Sequence, residues 1–126
     1  MLLRLLSIGF AGFIGTLLRY WLSGVVARRY GETFPFGTLV VNLVGCFVVG
    51  FLFYFFYERA FAGPTSRATL FIGLLGGFTT FSSFGLQTFT LLRDGELFLA
   101  LVNVALSNVV GLALVWFVYT LARVIA

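Results

Sequence analysis

"GGFTTFSSF", residues 76–84, sets two glycines, two threonines and two serines among three phenylalanines inside an otherwise apolar run. Gly76 and Gly77 lower helix propensity at the centre of that run, and the hydroxyls that follow can satisfy backbone groups freed by an interruption. Irregular backbone at membrane depth is tolerated only where it is buried in protein or lines a water-filled cavity. The stretch therefore predicts a membrane helix interrupted near its centre, with carbonyls released there able to hold a cation such as sodium. Thr79, Thr80, Ser82 and Ser83 bring hydroxyls that donate to anions or accept from water. Phe81 and Phe84 share one helical face, and aromatic ring edges are electropositive, so they can face a small anion; such rings also serve as lipid-facing or core bulk.

The rest of the chain places this stretch in a bilayer. Of 126 residues, 61% are hydrophobic and 10% charged, and the mean hydropathy is +1.12. About a quarter of a soluble domain is charged. Four apolar runs, about 5–27, 36–57, 68–92 and 97–123, are each long enough to cross about 30 Å of hydrocarbon. The expected fold is an all-α integral membrane protein, a single four-helix transmembrane domain over residues 1–126, with the third helix interrupted. The first run carries Arg4 ahead of it but no A-x-A site, and reads as a retained helix. "RRYGETFP" and "ERAFAGPTSR" connect the first three runs, while "RDGE" is so short that it joins the last two as an antiparallel hairpin.

The net charge of +4 comes from eight arginines against Glu32, Glu58, Asp94 and Glu96. These charges cluster at the ends of apolar runs, which favours lipid headgroups over nucleic acid as the partner. Arg4, Arg59, Arg67 and Arg123 fall on one side and Arg28, Arg29 and Arg93 on the other. Four against three leaves orientation open: either both orientations insert and pair as an antiparallel homodimer, or another signal decides. A second, inverted copy would also supply the symmetry that larger transporters obtain from inverted repeats.

Several polar residues lie inside the runs. Arg19, well inside the first, either snorkels to the interface or faces an aqueous vestibule, because no acid in any span can pair with it. Thr38 and Asn42 share a face of the second run, and Asn42 is either interhelical glue or an anion ligand. Asn103, Ser107 and Gly111 form a polar-to-small stripe in the fourth, while Asn108 points elsewhere. Cys46 sits in an apolar run as a small buried residue, and there is no histidine.

With "GFIGTLLRY" at 12–20, "FGTLVVNLVG" at 36–45, "GLLGGFTTFSSF" at 73–84 and a fourth span carrying Asn103, Ser107 and Gly111, the chain resembles the Fluc/CrcB family of fluoride ion channels along its length. The resemblance implies a dual-topology homodimer with two antiparallel fluoride pores in a bacterial inner membrane, exporting fluoride passively. It implies pore residues Asn42, Phe81, Phe84 and Ser107, with Thr80, Ser83 and Asn103 along the polar track and Arg19 in the vestibule. It further implies a structural sodium ion held through the backbone carbonyls of Gly76 and Thr79, and no organic cofactor. Ser83 stands where many members carry threonine, and Asn103 where some carry tyrosine.

Two other classes compete. A small proton-coupled multidrug transporter also has four helices, but needs an intramembrane carboxylate, and all four acids lie in connectors or at span ends. A noncatalytic membrane assembly subunit would leave the polar positions of three spans without a use. An enzyme lacks its nucleophile, base and metal set.

Overall fold

The computed structural model describes residues 1–126 as helices joined by short turns. Helix α1 is Leu2–Tyr30 and α2 is Phe36–Glu58, whose last turn, Tyr54–Glu58, widens to π geometry. The third span, Pro64–Arg93, consists of α3 (residues 64–78) and α4 (Phe81–Arg93), separated by Thr79 and Thr80. Helix α5 is Leu97–Ile125, with a π stretch at Leu106–Val110. All four spans are long and apolar enough to cross a membrane. At about 1.5 Å per residue, the 29 residues of α1 measure about 43 Å. Helix α1 overruns its apolar run at both ends and α5 at its C-terminal end, as backbone hydrogen bonding continues past Arg4, Arg28, Arg29 and Arg123.

The chain reverses where its chemistry allows. Gly31 takes φ 80° and donates its N–H to the Ala27 carbonyl at 2.8 Å, closing α1. Pro64 starts α3 at a position where its missing N–H costs no helical bond. Gly95, also at φ 80°, turns the hairpin between α4 and α5.

Only 20 of 126 residues are buried, and large side chains such as Trp116 face outward. In lipid, apolar surface gains nothing from helix contact, so close backbone approach at small residues holds the bundle instead. Gly73 and Gly77 of α3 meet α1: a Cβ on Gly77 would stand 2.5 Å from the Gly12 carbonyl oxygen, and one on Gly73 2.7 Å from that of Ile8. Gly50 joins α2 to α5 in the same way, its added Cβ 2.6 Å from the Val115 carbonyl oxygen. Helices α3, α1, α2 and α5 thus pack in sequence, and α4 rests mainly on α5, burying only Leu91.

The interruption lies near the middle of the span, as expected, but its cause differs from the expectation. Gly76 and Gly77 are helical, and the break comes after them, at Thr79 and Thr80. Gly77 serves close packing.

Candidate functional site: a polar cavity at the helix break

At the break the backbone is extended, with Thr79 at φ −85°, ψ 160° and Thr80 at φ −150°, ψ 120°. An extended residue presents both its N–H and its C=O sideways, and inside a membrane both need partners. Asn42 of α2 supplies them. The Thr80 N–H donates to Asn42 Oδ1 at 2.8 Å, and Asn42 Nδ2 donates to the Thr80 carbonyl at 2.9 Å. One side-chain amide therefore occupies the place of a neighbouring strand.

Thr80 also caps α4. Its Oγ1 accepts from the Ser83 N–H at 3.2 Å and donates to Ser83 Oγ at 3.1 Å. On the other side of the break, Thr79 Oγ1 donates to the Leu75 carbonyl at 2.8 Å and Arg19 Nε to the Gly77 carbonyl at 3.1 Å. A cation at the carbonyl end of a helix is favoured by the helix dipole.

The break removes the helical donors of four carbonyls, those of Gly76, Gly77, Phe78 and Thr79, and only Gly77 regains one, from Arg19. In a continuous helix Gly76 would accept from the Thr80 N–H and Thr79 from the Ser83 N–H. Both donors are diverted, one to Asn42 and one to Thr80 Oγ1. The carbonyls of Gly76 and Thr79 thus lack their helical partners, and Gly76 is exposed. Neutral backbone oxygens at an unwound helix are the donor type that suits a sodium ion. The residues present therefore fit the ion expected from the sequence, and the Phe78 carbonyl is freed beside those of Gly76 and Thr79.

A cavity of about 520 Å³ reaches the break from the α1–α2 connector. Arg19 and Ser23 of α1, Thr38 of α2, and Thr80, Ser83 and Gln87 line it, with Glu32 and Phe34 toward the connector. Arg19 has no carboxylate partner, since the single ion pair in the chain is Arg93–Asp94. Ser83 Oγ accepts from Thr80, which leaves its own proton available. Gln87 Oε1 is buried without a hydrogen-bond partner.

Phe81 and Phe84 occupy another face of α4, outside the cavity lining, with ring centroids 5.6 Å apart and planes tilted by 47°. Phe81 is 81% exposed. Asn103 is 2% exposed and donates through Nδ2 to Thr88 Oγ1 at 2.9 Å, while Thr88 in turn donates to the Phe84 carbonyl at 2.8 Å. It stitches α5 to α4 one turn past Phe84. Ser107 lies half-buried in the π stretch of α5, and the antiparallel hairpin brings it toward the level of Phe84.

One chain thus gathers Arg19, Thr80 and Ser83 around a cavity with Asn42 bonded to the break, and places Phe81, Phe84 and Ser107 elsewhere. Beyond the residues expected from the sequence, Ser23, Gln87 and Thr90 line the cavity and Thr88 holds Asn103. Positions 80, 83, 87 and 90, all in the cavity lining, follow a three-four-three spacing that marks one helical face. That spacing is visible in the sequence.

Residues 6–119 match the family model described as "CrcB-like protein, Camphor Resistance (CrcB)". The chain is 46% identical over 120 residues to a Citrifermentans bemidjiense protein named "Fluoride-specific ion channel FluC", covering 95% of this chain and 97% of that one. A protein of the same name from Opitutus terrae is 51% identical over 113 residues, covering 88% and 86%. One from Aquifex aeolicus is 42% identical over 117 residues, covering 93% and 94%. Because these matches take in the break, the cavity and parts of all four spans, the chain belongs to the CrcB family.

Proposed function

We propose that the protein is a passive, fluoride-selective channel of a bacterial inner membrane that lowers cytoplasmic fluoride. The observation that carries this reading is a donor-lined cavity ending at a broken membrane helix, in a chain whose named relatives are fluoride channels. Fluoride holds its hydration shell tightly, so a pathway must replace water with many donors in a space too narrow for larger halides. Arg19 attracts the anion into the cavity. The hydroxyls of Thr80 and Ser83 and the amide N–H groups of Gln87 take over from water. Phe81 and Phe84 then offer ring edges, with Ser107 beyond them. Asn42 holds the break in shape beside this track, and Asn103 keeps α5 against α4.

The functional unit in this reading is an antiparallel homodimer. Support comes from Phe81, 81% exposed on a helix that packs mainly on one neighbour, and from the near-even arginine distribution. Two copies meeting at their breaks would bring the Gly76 and Thr79 carbonyls together as a sodium site. Bound there, sodium would supply positive charge beside the carbonyl ends of the two α3 helices, which carry partial negative charge. The intramembrane polar residues of the cavity are hydroxyls, amides and one arginine, which suits passive conduction rather than proton exchange.

Efflux from liposomes loaded with fluoride or chloride tests the proposal. Fast fluoride release without chloride release is expected. Phe81→Ile should slow it at least about tenfold, equivalent to losing about 1.4 kcal/mol of interaction. Equal chloride release, or no release of either ion, overturns the proposal; proton-driven uptake of organic cations would point to a transporter.

A further inference from the structure

A second pocket, of about 200 Å³, lies at the membrane end shared by the start of α1, the end of α2 and the start of α3. Arg4, Tyr57, Arg67, Phe71 and Ile72 line it. The Arg67 guanidinium carbon stands 4.9 Å from the centroid of the Tyr57 ring, which itself meets Phe71 edge-on at 5.2 Å. Stacking of this kind fixes the guanidinium plane while leaving its N–H edge free for a forked acceptor. Arg67 Nε is buried and has no hydrogen-bond partner. Neither arginine has a carboxylate partner, and Glu58 accepts from the Tyr119 hydroxyl. Two unpaired guanidinium groups therefore share a pocket without a neutralising anion.

We propose that this pocket binds the phosphate of an anionic phospholipid. The level of the pocket, at the ends of three spans, is that of lipid headgroups, and basic pockets between helices at this level are suited to anionic lipids. Its wall continues into Phe71 and into Ile72, 65% exposed, a surface for an acyl chain that a free phosphate ion would not use. Arg4 and Arg67 hold the phosphate oxygens, and Tyr57 holds Arg67. The site lies outside the set of residues assigned to conduction and does not depend on that assignment.

Native mass spectrometry of the full-length protein in detergent, titrated with phosphatidylglycerol, phosphatidylcholine or inorganic phosphate, tests the inference. Phosphatidylglycerol is expected to be retained at one molecule per chain in preference to phosphatidylcholine. R4Q/R67Q should weaken that retention about 30-fold, the effect of two near-surface charges. R28Q/R29Q, at the opposite membrane face, should leave it unchanged. Thermal unfolding reports whether each variant is folded, and Y57L, which removes no charge, provides a second variant, with retention expected to fall about threefold through loss of the stacked ring. Equal retention of the two lipids, or unchanged retention in a folded R4Q/R67Q or Y57L protein, overturns the proposal. So does displacement of phosphatidylglycerol by an equal concentration of inorganic phosphate, which would make this a site for the free anion.

Discussion

Asn42 bonds both ends of its amide to one residue 38 positions away, and no other side chain bonds either backbone group of Thr80. At the break, where the helix no longer satisfies those groups, their desolvation is left uncompensated if the amide is lost. Asn42→Ala is therefore expected to lower stability by about 2–6 kcal/mol, at about 1–3 kcal/mol for each of the two unsatisfied groups. Unfolding in detergent measures this loss, and fluoride efflux should fall with it. Asn108→Ala is the control. Its amide donates to the Val104 carbonyl of its own helix at 2.8 Å on an exposed face, so its removal should change stability by no more than about 0.5 kcal/mol. The contrast separates an asparagine that shapes the break from one that merely decorates a helix.

At the level of elements, crossing a bilayer requires length and apolarity, which are properties of local sequence, and this made the four spans legible. The position of the break was less legible, because glycine propensity and glycine packing pull in different directions. Propensity favours interruption at Gly76 and Gly77, yet Gly77 stays helical against α1, and the backbone departs where Thr80 and Asn42 offer competing hydrogen bonds. The Asn42–Thr80 pairing depends on how α2 packs against the third span, which no local pattern encodes. Gln87 was within reach, since it extends the face of Thr80 and Ser83 by one turn, but reading the hydroxyl-rich stretch alone stops at Phe84. Packing predicts that Gly77→Ala, whose Cβ would stand 2.5 Å from the Gly12 carbonyl oxygen, forces α1 and α3 apart. The cost should be about 1–3 kcal/mol, read as a lowered unfolding midpoint. Gly9→Ala on α1, with nothing within 4 Å of the added Cβ, should show no loss.

The whole molecule has surfaces that a single copy does not use. Helix α4 rests mainly on α5, Phe81 projects outward, and the carbonyls of Gly76 and Thr79 lack their helical donors on the same broken span. An antiparallel partner would cover that face and give each membrane side a polar cavity. The arginine distribution is consistent with such a partner, with four on one side and three on the other. Topology can be read from Thr65→Cys in a Cys46→Ala background, since Thr65 lies exposed on the first turn of α3. A membrane-impermeant thiol reagent applied to intact cells should label about half of the chains, and permeabilisation should expose the rest, as the proposed antiparallel assembly requires. Labelling of all chains, or of none, before permeabilisation would mean a single orientation. Both donor-lined cavities would then open on one membrane face, leaving anions no equivalent mouth on the other, and the antiparallel assembly would have to be abandoned.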